Sequence, residues 1–165
     1  MRPHRSIVVQ LALNVENLEG AFYEGALARF DEAAFRKAGL PSFARGRFVQ
    51  IAGNEAFHAK LLREILGNQA PAPCKYTYVP HITVNYFSYL DACYPHVRFP
   101  YNNPVEFAAL AAVLEGGGVS AYSGALAAIS DKKLLTVAGE ILPMEARHNA
   151  FSTFHIFLQY LGYCN

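Results

Sequence analysis

Cysteine is scarce in this chain and its charge is nearly balanced, and both facts exclude whole classes of function. Cys74, Cys93 and Cys164 are too few and too scattered for a disulfide framework, and none has the close Cys or His spacing of a zinc site. They leave room for one bridge and do not fix a compartment. The formal net charge is +1 with no basic run, so the electrostatic footprint of a nucleic-acid partner is missing. No export signal is expected from this stretch: Met1 to Ser6 is basic, but the apolar run after it is broken by Gln10, Asn14 and Glu16. Phe107 to Ile129 is apolar enough to suggest a membrane span. It carries Glu115 and three consecutive glycines, however, and lacks aromatic or basic flanking anchors, so no span is expected. A chain of 165 residues fits one domain with a core of its own.

Four long helices are legible from periodicity. Ser6 is a cap candidate for the first, which runs to about Phe30 with Val9, Leu13, Glu16, Gly20, Tyr23 and Leu27 along one seam. A short element near Asp31 to Ala38 stops at Gly39-Leu40-Pro41, and Ser42 is the next cap. The second helix reaches about Leu66, with Phe48, Ile51, Glu55, His58, Leu62 and Ile65 on its seam. Asn103-Pro104 opens the third, which extends to about Ile129 through Ala108, Ala111, Glu115, Gly118, Tyr122 and Leu126. Ser130 or Asp131 caps the fourth, with Ala138, Ile141, Glu145, His148, Ser152 and His155 facing inward.

In every helix a glutamate stands where the spacing calls for an apolar core residue. A buried ionised carboxylate costs several kcal/mol even after relaxation. Four in one small core therefore demand neutralisation, which two divalent cations would supply. Glu55 with His58 and Glu145 with His148 form two Glu-x-x-His pairs, and residues three apart on a helix aim at one point. Glu16 and Glu115 are each followed seven residues later by a tyrosine, Tyr23 and Tyr122. One Glu-x-x-His usually means two solvated side chains; a duplicated set with matched upstream glutamates does not. Oxygen ligands with one imidazole per metal suit iron or manganese, and zinc also fits. Each imidazole needs an acceptor for its second nitrogen.

Glu19, Glu24 and Glu140 lie off the predicted seams and are expected to be solvated or to stand behind the ligands. Gly116, Gly117 and Gly118 weaken the third helix by about 1 kcal/mol each, which suggests close approach of a bulky neighbour. Pro143 is expected to kink the fourth helix ahead of Glu145, opposing the carbonyl of Gly139.

The order Glu, Glu-x-x-His, Glu, Glu-x-x-His resembles the ferritin-like carboxylate proteins, whose helix-bundle site has this layout. More narrowly, LNVENLEGAFYEGALARFDEAAF, GLPSFARGRFVQIAGNEAFHAKLL, FAALAAVLEGGGVSAYSGA and EILPMEARHNAF resemble fungal stress-response and sexual-development proteins related to plant desiccation-related proteins. The resemblance implies an all-α, ferritin-like four-helix bundle, two antiparallel helix pairs joined by a long crossover. It implies Glu16 and Glu115 as ligands of one ion each, Glu55 and Glu145 as bridges, and His58 and His148 holding one ion each. Tyr23 and Tyr122 would hydrogen-bond a carboxylate or carry a radical; as core aromatics with a satisfied hydroxyl they would need no such role. The implied cofactors are two divalent ions, iron or manganese, with dioxygen or peroxide as small-molecule partners. Relatives of this type are commonly secreted, and Met1 could be an internal start. Oligomeric state is not legible.

The crossover is longer than the bundle requires. A 25-residue helix spans about 38 Å, which about 12 extended residues cover. The chain supplies 36, from Gly67 to Asn102. The segment near 79–98, VPHITVNYFSYLDACYPHVR, is read as an insertion foreign to the fold, such as a translated intron. Its rival is a lid in which Tyr86, Phe87, Tyr89 and Tyr94 cover the bundle mouth and His81 or His96 reaches a metal. The resemblance also stops near Phe151, ahead of an apolar tail.

Three functions follow as expectations. The first is a ferritin-like metal-binding protein with a di-iron or di-manganese carboxylate site and oxidase or peroxide chemistry in stress response. The second is a non-enzymatic stress or cell-surface protein that keeps the bundle. The third is the nonfunctional product of a faulty gene model.

Overall fold

The computed structural model describes residues 3–74, 76–78 and 97–160. Four long helices form the body: α1 (Pro3–Arg29), α3 (Ala44–Leu66), α4 (Pro104–Leu126) and α5 (Lys132–Tyr160), with a short α2 (Glu32–Lys37) between the first two. The long helices pack as two pairs, α1 with α3 and α4 with α5, and the pairs meet mainly through α1 and α4. Both pairs are antiparallel. Gln10 reaches Gln69 while Arg45 reaches Leu27 in the first pair, and Gly118 meets Glu145 while Ala112 meets Asn149 in the second. The all-helical bundle is the expected one.

The crossover from α3 to α4 contains a 3-10 turn (Gly67–Gln69) and two short strands, β1 (Tyr76–Tyr78) and β2 (Val97–Phe99), paired in parallel. Residues 79–96, the bulk of the anticipated insertion, lie outside the described residues, as do the side chains of the tail from His155 onward. The strand pairing places Tyr78 opposite Phe99, so the two ends of that segment are neighbours. Cys74 is disulfide-bonded, which fits the single bridge that three cysteines allow.

Local chemistry sets most helix ends. The Asn103 side chain accepts from the amides of Val105 and Glu106 at 3.0 and 2.9 Å, and Glu106 accepts in return from the Asn102 amide at 2.7 Å. This reciprocal cap fixes the start of α4. Asp131 caps α5 by accepting from the Leu134 amide at 3.0 Å, which settles the choice against Ser130. Two expected caps are not used. Ser6 lies inside α1, because Pro3 is compatible with a first helical turn and lets the helix begin earlier. Ser42 gives way to Phe43, which makes no side-chain cap; a backbone bond from the Ala44 amide to the Pro41 carbonyl, 2.9 Å, starts α3 instead. α4 ends at Leu126, three residues before the expected Ile129, and α5 runs without interruption through Pro143.

Helix α1 also departs from its expected seam. Glu19, Phe22 and Ala26 are buried in place of Gly20 and Leu27. The buried face is wider because the returning crossover covers it: Phe22 packs edge-on against Phe99 and Tyr101 with centroids 5.3 Å apart. Gly25 permits this approach, since a Cβ there would come within 3.1 Å of the Tyr101 hydroxyl. α4 is long and apolar enough to cross a membrane by length and composition alone. Its inward face carries Phe107, Ala111, Glu115, Gly118 and Tyr122, all buried by the other helices.

Two hydrophobic clusters result. One is aromatic, built around Phe22, Tyr23, Phe35, Phe48, Tyr101 and Phe107. The other is aliphatic, built around Val9, Leu13, Leu62, Leu66, Leu134 and Ile141, and it includes Tyr122. The glutamates and histidines of the four helices lie between them.

Candidate metal centre

All six residues of the duplicated pattern are brought together. Glu16, Glu55, Glu115 and Glu145 are fully buried, and His58 and His148 are 3% exposed. They form two four-residue groups, Glu16 with Glu55, His58 and Glu145, and Glu55 with Glu115, Glu145 and His148. Within each group the nearest donor atoms lie within 4.8 Å of one another. Glu55 and Glu145 belong to both. The Glu-x-x-His spacing explains why: on α3 and α5 the carboxylate and imidazole sit one turn apart on the inward face, and the facing helices supply the remaining carboxylates.

The directions of these groups matter as much as their spacing. His58 Nδ1 lies 3.1 Å from Glu55, 3.2 Å from Glu16 and 3.4 Å from Glu145, oxygens from three different helices. One ring nitrogen cannot satisfy three carboxylates. His148 Nδ1 comes within 2.8 Å of Glu55 Oε1 and 3.4 Å of Glu115 Oε2, yet it makes no hydrogen bond. The 2.8 Å separation is that of an ion pair, but the angles do not support a directed bond, and hydrogen bonds weaken steeply off axis. His58 Nδ1 is hydrogen-bonded to Glu16 and Glu55, whereas His148 Nδ1 lies close to its carboxylates without a directed bond, and in both groups the ligand-type atoms crowd together. A metal ion with bonds of about 2.1 Å sets its ligand atoms about 3.0 Å apart in an octahedron and about 3.4 Å in a tetrahedron. Four of the five separations, 3.1 to 3.4 Å, fall in that range, and the fifth, 2.8 Å between His148 and Glu55, is shorter.

Buried atoms without partners tell the same story. Glu55 Oε1, Glu115 Oε2 and both oxygens of Glu145 make no hydrogen bond. No lysine or arginine among the described residues is paired with these carboxylates. Orphaned buried charge of this density is normally relieved by a cation.

The electrostatics follow. Burial, with the neighbouring carboxylates, pushes Glu16 up to about 8 and Glu115 up to about 7, and it raises Glu145 as well. Burial also acts to raise Glu55, but the adjacent imidazoles of His148 and His58 outweigh it and hold that carboxyl at about 2. Burial disfavours charge on His58 and His148, yet the surrounding carboxylates win, raising them to about 11 and about 9. Without cations the cluster therefore holds protons on histidine and carboxyl groups in place of metal.

The tyrosines cross between the helix pairs. Tyr23 donates to Glu115 Oε1 and Tyr122 donates to Glu16 Oε1, so neither meets the glutamate of its own helix. Because α1 and α4 run antiparallel, residue 23 is level with residue 115, and 16 with 122. Burial foremost, then the adjacent carboxylate, raises both phenols well above their ordinary value, which keeps them as proton donors.

Three features differ from expectation. Glu24 and Glu140 are exposed, the solvated alternative, whereas Glu19 is 1% exposed, on the buried face and not off it, where it stands behind the candidate ligands with both oxygens lacking partners among the described residues. The signal was its place three residues after Glu16, the same interval as Glu-x-x-His. The glycine run is used unequally: a Cβ at Gly118 would overlap Glu145 Oε2, one at Gly116 would approach Asn149 Nδ2 to 2.9 Å, and Gly117 meets nothing. Finally, the acceptor expected behind each imidazole is not found for His148, whose Nε2 has no partner among the described residues. His148 instead lines a groove of about 380 Å³ between α3 and α5, with Arg47, Gln50, Asn54 and Arg147 around it.

The profile of the ferritin-like domain matches residues 5–156, nearly the whole chain and all of the centre. The chain belongs to the ferritin-like family. A crystal structure of a conserved hypothetical protein from Mycobacterium tuberculosis superposes with a TM-score of 0.66 at 13% identity, covering 93% of this chain and 97% of that one. At that identity the likeness extends to the fold. No curated protein matches. The ferritin-like bundle accounts for the pairing of the helices, and its buried carboxylate and histidine groups can hold metal ions.

Proposed function

We propose that this ferritin-like chain binds two divalent ions, iron or manganese, and serves oxidase or peroxide chemistry in a stress response. One observation carries the reading: two groups of buried ligand-type residues share Glu55 and Glu145, and four of their eight carboxylate oxygens have no hydrogen-bond partner among the described residues. Glu16 and His58 would complete one position, and Glu115 and His148 the other. When bound, such a pair of ions supplies electron transfer and Lewis acidity toward dioxygen or peroxide.

The protein's own contribution is positional. Tyr122 and Tyr23 orient the outer carboxylates by donating to one oxygen each, leaving the second oxygen of Glu16 and Glu115 turned inward. The two hydrophobic clusters exclude water from either side of the centre. The groove lined by His148 between α3 and α5 is a route of access for a small reactant. The tie to stress response rests on the sequence blocks shared with desiccation-related and fungal stress proteins.

The test is metal analysis of the purified, reconstituted full chain, followed by dioxygen or peroxide consumption with ferrous iron. Two ions per chain with turnover is the expected result. Fewer than one ion per chain would remove the reading. Two ions without turnover would leave them as structural elements of a stress or cell-surface protein.

A further inference from the structure

The two halves of the centre repeat one another residue for residue: Glu16 and Glu115, Glu55 and Glu145, His58 and His148, Tyr122 and Tyr23. The repeat fails at several inward positions, Phe48 against Ala138 and Leu62 against Ser152 among them, but at only one of the described ones is a charged residue involved. Three residues after the first carboxylate, α1 carries Glu19 and α4 carries Gly118. These two face each other across the helix interface. A side chain at 118 would collide with Glu145 Oε2 and come within 3.1 Å of Glu19 Oε1, so the room left by the glycine is taken by two carboxylates.

Glu19 is no ordinary core residue. It is 1% exposed, neither oxygen has a hydrogen-bond partner, and no cationic side chain among the described residues pairs with it. It also lies outside both four-residue ligand groups, one step behind Glu145. Two divalent ions would balance the four carboxylates of those groups and leave the fifth uncompensated. An uncompensated carboxylate in this setting costs several kcal/mol. One further unit of positive charge at the centre would remove that cost.

We propose that Glu19 is a fifth carboxylate of the centre, placed through the gap at Gly118 so that a trivalent ion can be held beside a divalent one. The proposal rests on the two-metal reading above and adds the charge state that the site favours. Glu19 would act as a charge-balancing group beside Glu145. Electrostatic attraction at short range in the interior is large and scales with ion charge. Removing Glu19 should therefore cost a trivalent ion more than a divalent one.

The experiment uses the full chain stripped of metal by chelation, with Glu19→Gln and Glu19→Asp beside it. Manganese(II) and redox-inert gallium(III) are each titrated against a competing chelator, and folding is checked by circular dichroism. Glu19→Gln is expected to weaken gallium binding about tenfold or more while changing manganese binding less than about threefold. Glu19→Asp should recover most of the gallium affinity. Equal losses for the two ions, or none for either, would overturn the proposal even with wild-type binding intact. If wild-type protein bound neither ion, the two-metal reading would fall and this inference with it. Should Glu19→Gln fail to fold, Glu19→Ala takes its place as the charge-removing variant, and equal losses for the two ions in it would overturn the proposal as well.

Discussion

The half of the centre built on α1 and α3 and the half built on α4 and α5 use the same residue types at the same intervals, yet their surroundings diverge. His58 is enclosed, with its Nδ1 within 3.4 Å of three carboxylates. His148 stands at the wall of a groove flanked by Arg47 and Arg147, and neither of its nitrogens is hydrogen-bonded. Tyr122, which holds Glu16, belongs to the aliphatic cluster, whereas Tyr23, which holds Glu115, sits among phenylalanines. Glu19 faces Gly118 across the axis of the repeat. A duplicated set of candidate ligands thus does not make two equal positions: residues outside the set give each half its own charge and surroundings.

The largest effect is expected from the residues the halves share. Glu55→Ala removes a carboxylate common to both groups and should abolish both ions, a loss of at least about a hundredfold in affinity. Glu16→Ala and Glu115→Ala should each abolish one. Elemental analysis after dialysis reads the difference, and one ion retained by Glu55→Ala would mean that the positions are independent.

Adjacent glycines offer a sharper contrast. Gly118→Ala drives a methyl into Glu145 and should destabilise the chain by about 1–3 kcal/mol, with weaker metal binding. Gly117→Ala meets open space and is expected to stabilise α4 by about 1 kcal/mol through helix propensity. Thermal melts with and without manganese test both, and a stabilising Gly118→Ala would refute the crowding at Gly118.

The smallest effect is a pH dependence that separates metal-free from loaded protein. Glu16 and Glu115, raised from 4.5 to about 8 and about 7, bind protons more tightly folded than unfolded, so metal-free stability falls as pH rises from about 4.5 through 8. His58 and His148, raised from 6.5 to about 11 and about 9, contribute stability present below 6.5 and lost as pH climbs through those values. Glu55, held at about 2, contributes stability above 4.5 that is lost as pH falls through 2. Metal-free protein should therefore melt highest near mildly acidic pH. Ions compete with these protons, so the gain in melting temperature on adding manganese should grow between pH 5 and 8. A gain that shrinks over this range would contradict the assignment.

Much of this was legible in the sequence because it is local. Helix periodicity put Glu16, Glu55, Glu115 and Glu145 on inward faces, and a three-residue interval put His58 and His148 beside their carboxylates, since both follow from the geometry of one helix. Capping by Asn103 and Asp131 was readable for the same reason. Glu19 was not, because its burial depends on how α1 rotates against α4 and on the crossover covering Phe22. The pairing of Tyr23 with Glu115 and of Tyr122 with Glu16, residues 92 and 106 positions apart in the chain, needed the antiparallel arrangement of α1 and α4. The candidate ligand residues and their duplication were thus written in residue type and spacing, whereas the difference between the two halves, the place of Glu19 and the groove beside His148 arise from helix-to-helix contact. Spacing along one helix fixes which side chains share a face; only packing decides what that face meets.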